Sequence, residues 1–204
     1  MQSISIPIKF INSLDEKKHL MLFYEDAENA KLIEFLFLKQ GLERGEGCIY
    51  ATAEDSGAIV LSLLRYGIPL ESFLSKKIQV FHLPSVSGTI EEILVHCKKQ
   101  ITKMLLDVKK PFRIVSRIVS DVSTEQGIMA ELEIERCVHS CFEELGGMIM
   151  CPYDIAAIEK KNRLEWINSL YSQHHAVIYL PKIGESGVIC PFTVGPEQIT
   201  TCLL

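Results

Sequence analysis

From residue 19 to residue 181 the chain alternates short apolar runs with segments of helical periodicity, almost without interruption. That alternation specifies a parallel sheet covered by helices on both faces. The candidate strands are 19–24 (HLMLFY), 47–52 (GCIYAT), 77–83 (KIQVFHL), 111–119 (PFRIVSRIV), 148–151 (MIMC, stopped by Pro152) and 175–181 (HAVIYLP). Their runs are near-continuously apolar, as strands buried on both faces require. Helices are expected over 27–44, 55–66, 124–145 and 163–172. The clearest is the stripe of Ile90, Ile93, Leu94, Cys97, Ile101, Met104, Leu105 and Val108, which recurs at three- and four-residue steps. The expected fold is three-layer α/β with a mostly parallel central sheet. One domain spans 19–181. Residues 1–18 read as an N-terminal arm or edge strand, and 182–204 as a C-terminal tail.

Composition narrows the function classes. Of 204 residues, 48% are hydrophobic, enough for a sizeable core, and the net charge of −5 argues against a nucleic-acid surface. No apolar run is long enough to span a membrane, and the N-terminus lacks the features of a signal peptide. The seven cysteines are scattered and odd in number, which suits a reducing cytoplasm better than a disulfide framework.

In open α/β sheets ligands bind at the carboxyl ends of strands. The first strand-to-helix turn there is YEDAEN, with Tyr24, Glu25, Asp26 and Glu28 and without glycine or lysine. A phosphate cradle needs backbone amides at close approach and a lysine. Acids in a first helical turn either cap the helix or line a pocket, and they repel a triphosphate in both cases. Glu54 and Asp55, Ser120 and Asp121, and CPYD (151–154) follow later strands and can converge on the same cleft with His19 or His175. Cys137 and Cys141 are four apart with His139 between them, but no zinc-binding pattern supports them, and core packing is the plainer role. His174-His175 is a weak signal for a metal pair. Cys151 ends a strand, yet only acids flank it, so it lacks the positive charge that a nucleophilic thiol needs.

Several of these stretches together resemble the MEDS family, the sensory domain of DcmR-type proteins of methanogens and methylotrophs. The matching positions are His19, Tyr24, Glu25, Gly41, Leu42, Gly45, Glu46, Cys48, Tyr50, Cys151, Tyr153, Asp154 and His175. The resemblance spans about residues 19–180. It implies a core derived from RecA- and KaiC-like P-loop ATPases that lost the P-loop. It also implies a domain that senses small molecules, hydrocarbon derivatives among them, and signals to transcription-regulator or histidine-kinase modules. The family's fourth strand often carries an Arg followed by Glu and Trp; here Arg113 and Arg117 are kept, and the one Trp, Trp166, lies in a different helix.

The expected function is therefore a non-catalytic small-molecule sensor, with no catalytic residue, metal or cofactor assigned. His19, Tyr24, Glu25, Glu54, Arg117, Tyr153, Asp154 and His175 form the expected pocket rim and Cys151 its floor. Output is expected through a separate partner or a homo-oligomer. Two rival readings are an oligomeric scaffold built on a vestigial ATPase sheet, and a metal-dependent hydrolase or residual ATPase. For the last, Glu54 falls where KaiC-like ATPases carry a catalytic glutamate, but a phosphate-binding lysine is missing.

Overall fold

The computed structural model describes residues 4–83, 86, 88–116, 124–140, 142–157 and 163–190. The elements in chain order are α1 (Ser5–Ser13), β1 (His19–Tyr24), α2 (Ala27–Glu43), β2 (Gly47–Thr52), α3 (Ser56–Arg65), α4 (Leu70–Leu74), β3 (Ile78–His82) and α5 (Ile90–Leu105). They continue with β4 (Phe112–Ser116), α6 (Glu125–Ser140), α7 (Phe142–Leu145), β5 (Gly147–Asp154), α8 (Arg163–Tyr171), β6 (Ala176–Leu180) and β7 (Gly187–Ile189). The strands form one sheet in the order β3-β2-β4-β5-β1-β6-β7, parallel throughout except for the β6–β7 pair. The expected three-layer α/β fold is the one found.

Strand parity divides the core. Leu20, Leu22 and Tyr24 of β1 face α1 and α2, where they meet Ile11, Phe35, Phe37 and Leu38. Met21 and Phe23 face α6 and α8, where they meet Ile128, Ile134, Val138, Trp166 and Leu170. Side chains alternate strictly along a strand, so adjacent residues of β1 serve opposite layers. The helices start at side-chain caps: Asp26 for α2, Asp55 for α3, and a Thr89–Glu92 capping box for α5.

Two local expectations are corrected. The segment at 1–18 is neither arm nor edge strand: it carries helix α1, with Pro7, Phe10 and Ile11 buried and Leu14 just beyond it. Those positions recur at helical three- and four-residue steps, which put one apolar stripe against α2. Strand β5 runs through Pro152 to Asp154 instead of stopping there. Among the described residues its ladder to β4 ends at Met150, while the pairing with β1 continues through Pro152 to Asp154. In the C-terminal tail, β7 supplies an edge strand, and 191–204 lie outside the described residues.

One ion pair ties the first half of the sheet together. Arg113 on β4 is wholly buried; its Nε donates to Glu46 Oε2 at 2.6 Å and its Nη1 to the Phe37 carbonyl at 3.0 Å. The guanidinium also lies 4.9 Å from the centre of the Phe37 ring. Gly41 makes room for it, because a Cβ there would stand 2.8 Å from Arg113 Cδ. The GL-x-x-GE stretch is thus a socket for Arg113. Breaking a buried pair leaves an uncompensated charge, so Glu46→Ala is expected to cost about 3–5 kcal/mol in denaturant unfolding. The Glu46→Leu, Arg113→Met double variant is expected to lose clearly less.

Candidate functional site

At the carboxyl end of β1 the acidic turn has a structural role. Asp26 accepts from the Glu28 and Asn29 amides at 3.1 and 3.0 Å. These are the α2 amides that a phosphate cradle would present, and they are occupied by the chain's own carboxylate. Glu25 Oε2 accepts from the Lys182 amide at 3.1 Å, fastening the segment after β6. Glu54 pairs with Lys31 at 2.9 Å. Tyr24 joins Glu34, Tyr50, Thr52 and Glu54 around a polar cavity of about 180 Å³. Within it Tyr50 donates to the buried Glu34 carboxylate at 2.6 Å.

The other face of the sheet holds a second, fully buried polar group. His19 opens β1, Cys151 and Tyr153 come from β5, Glu131 and Glu135 from α6, and His174 from the turn before β6. Glu135 Oε2 lies 3.0 Å from His19 Nε2 and 3.5 Å from His174 Nε2. His19 Nε2 is also 3.4 Å from Cys151 Sγ. The Tyr153 hydroxyl lies within hydrogen-bond distance of both Glu135 Oε1 and Glu131 Oε1, the latter at 2.8 Å, and its single proton is shared between the two carboxyl groups. Each histidine turns its other ring nitrogen to a backbone carbonyl: His19 Nδ1 to Gln173 at 3.1 Å and His174 Nδ1 to Leu170 at 2.7 Å.

Burial sets the electrostatics here. It opposes charge on Glu135, but His19, His174 and the Tyr153 hydroxyl outweigh it and hold the carboxyl down at about 2. Burial, reinforced by His19, pushes His174 down to about 4. Burial, then the Glu135 and Glu131 carboxylates, raise the Cys151 thiol and the Tyr153 phenol well above their ordinary values. Cys151 is therefore an inert thiol by itself, in line with the acids that flank it.

Beside this cluster a cavity of about 290 Å³ opens between α5, α6 and the β4–β5 surface. Its walls include Leu94, Ile101, Met104, Phe112, Ile114, Ile149 and Val138; Ser116, Cys151 and Glu135 also line it, with Lys98, Thr102 and Glu133. Ser116 is buried, and its hydroxyl has no hydrogen-bond partner among the described residues.

The profile of the MEDS family, the methanogen/methylotroph DcmR sensory domain, matches residues 18–169. The chain belongs to the MEDS family. No curated protein matches its sequence. Among solved structures it is similar to a KaiC-like protein of the hyperthermophilic archaeon Pyrococcus horikoshii OT3, at 14% identity and a TM-score of 0.54, over 92% of this chain and 82% of that one. A second Pyrococcus horikoshii OT3 protein is similar at 11% identity and a TM-score of 0.59, over 98% and 99% of the two chains. The MEDS domain therefore has a KaiC/RecA-like fold.

The expected site residues separate by sheet face. His19, Cys151 and Tyr153 come together, with His175 at their edge: its Nδ1 accepts from the His19 amide at 2.9 Å. Tyr24 and Glu54 lie on the opposite face, and Glu25 and Asp154 stand at the strand ends, where Asp154 accepts from the Ala156 amide at 2.8 Å. One rim does not join them. Arg117, Ser120, Asp121 and Cys141 lie outside the described residues. Glu131, Glu135 and His174 were not assigned to the site from sequence. The signal for the two acids is their position in the MEDS α6 stripe, where they share the buried face with Ile128, Ile134 and Val138. An acid on an apolar stripe needs a buried partner. Trp166 packs edge-on against Tyr153 with ring centres 5.2 Å apart, closing the cluster from α8.

Two measurements check this geometry. Replacing Glu135 with Leu leaves His19, His174 and Tyr153 buried without the carboxylate they face and is expected to cost about 3–5 kcal/mol in chemical denaturation. In site-resolved iodoacetamide labelling of the native protein at pH 8, exposed Cys137 is expected to react. Buried Cys151 is expected to stay protected, as are Cys48 and Cys97, both pushed up to about 12 mainly by burial.

Proposed function

We propose that this MEDS domain is a non-catalytic sensor that binds a small, largely apolar organic molecule, of the size of simple hydrocarbon derivatives, in the cavity between α5, α6 and β4–β5. The observation that carries the reading is the hydroxyl of Ser116, buried on the wall of that cavity and without a partner among the described residues. A buried hydroxyl costs free energy unless something bonds it. An apolar chamber with a few convergent polar groups is what small-molecule sites generally offer, and about 290 Å³ lies at the small end of their range. The family to which the chain belongs is a sensory one.

Catalysis on a nucleotide has little support in the residues. The α2 amides are capped by Asp26, Glu54 is paired with Lys31, and the turn offers no lysine to a phosphate. A triphosphate does not fit that chemistry, and no step is assigned to one. Occupancy of the cavity would set the spacing of α5 and α6, and a separate regulator or kinase reading that spacing is the output we favour.

The test is a thermal-shift screen of short alcohols, amines, halogenated methanes and short carboxylic acids. A ligand at a hundred times its Kd is expected to stabilise the native state by about 2.7 kcal/mol. Ser116→Ala is expected to weaken such a hit by about tenfold, the worth of one hydrogen bond. Leu94→Trp, which fills the chamber, is expected to abolish it. A folded protein with no hit, or hits indifferent to Leu94→Trp, would overturn the reading.

A further inference from the structure

We propose that His19, Glu135, Cys151 and His174 form a closed four-coordinate site for a divalent transition metal, with zinc the best fit. The site goes beyond the sensor reading and does not depend on it. The Nε2 atoms of both histidines, the Cys151 Sγ and a Glu135 oxygen all lie within 4.8 Å of one another, and all four residues are buried. Tetrahedral zinc with bonds of about 2.0–2.3 Å holds its ligand atoms about 3.3–3.8 Å apart. Three of the six separations, 3.0, 3.4 and 3.5 Å, already stand near that, and the other three, all within 4.8 Å, close by up to about an ångström as the metal draws its ligands in.

Hydrogen bonding supplies an independent argument. A backbone carbonyl only accepts, so the contacts to Gln173 and Leu170 place a proton on Nδ1 of each histidine. In the neutral rings both Nε2 lone pairs then face the Glu135 carboxylate. His174 Nε2 makes no hydrogen bond although it is buried, and Glu135 Oε2 closes none despite its two imidazole neighbours. Lone pairs converging on an anionic oxygen repel one another, and a cation between them converts the repulsion into bonding. Histidine ligands that donate their second nitrogen to a carbonyl are the usual outer-shell arrangement of metal sites. Here both histidines have it, and Tyr153 orients the carboxylate from behind.

Charge closes the case. Two neutral imidazoles, a thiolate and a carboxylate carry two negative charges, which one divalent ion cancels, so the four-ligand set is neutral; buried Glu131, held by the Tyr153 hydroxyl, lies outside that set. Nitrogen and sulfur donors select zinc over magnesium or calcium. On binding, the Cys151 proton leaves to solvent as the metal–sulfur bond forms.

The experiment uses the full chain. Elemental analysis of the purified protein is expected to find about one equivalent of zinc or a similar ion, matching the single four-ligand set. After chelation, Co2+ titration is expected to give tetrahedral visible bands and a thiolate-to-cobalt charge-transfer band. Cys151→Ser removes that band; Cys137→Ser, on the exposed face of α6, keeps it. Tyr153→Phe is expected to weaken Co2+ affinity by about 10–100-fold, as loss of an outer-shell partner does. If the cysteine variant fails to fold, the wild-type spectrum decides alone. Metal-free protein that is folded and takes up neither Zn2+ nor Co2+, or a Co2+ spectrum without the thiolate band, overturns the proposal.

Discussion

Glu135 is the constraint around which the second half of the molecule is arranged. A carboxylate in the interior is tolerated only if neighbours satisfy it. Its neighbours come from β1, β5 and the turn before β6, so one side chain of α6 fixes three adjacent pieces of the sheet. Arg113 does the same for the first half, linking β4 to the end of α2 and the entry of β2. Hydrophobic burial gives the layers their adhesion, but it is non-directional. These two buried charges supply the directionality that sets each helix against its strands.

At the carboxyl edge of the KaiC/RecA-like sheet the polar groups are paired with one another. In the turn after β1, Asp26 satisfies amides that a bound anion would otherwise meet. The polar cavity beside it is walled by internally paired groups: Tyr50 with Glu34, and Lys31 with Glu54. The opposite layer has the reverse character. There, buried polar atoms lack complete hydrogen bonding, at Ser116, Glu135 and His174, next to an apolar chamber. Both proposals rest on this unsatisfied polarity in a dry interior, and on this molecule it lies across the sheet from the turn after β1.

Much of this was legible in the sequence. Alternating apolar runs gave six of the seven strands because each is nearly all apolar over its length. The Asp26 cap followed from an acid just ahead of an apolar helix. The family motifs named His19, Cys151 and Tyr153, and the structure brings these three together. Which residues share a face was not legible, because that depends on strand order. Tyr24 and His19 sit on the same strand five residues apart, so odd separation alone puts them on opposite faces. Their partners are known only once β5 and β6 flank β1. The acids of α6 were misjudged for a different reason: a Glu among Ile and Val weakens the apolar stripe in which it participates, and its partners are more than a hundred residues away in sequence or on another element. The N-terminal helix was missed because its pattern is short and begins beside a proline.

Strand order has a consequence for how the chain is made. β1 precedes the other described strands in the chain and is buried along its whole length, yet its two neighbours are β5 and β6, which follow it by more than a hundred residues. Both of its edges are open until residue 154 or so has been synthesised, and one stays open until residue 180 or so, which leaves the apolar run 20–24 without a complete sheet to join. Loop closure over such separations is slow, and exposed edges invite pairing with other chains. The nascent protein is thus most vulnerable to aggregation at β1, and among the described elements helices α1 and α2, which cover one of its faces, are its early shelter.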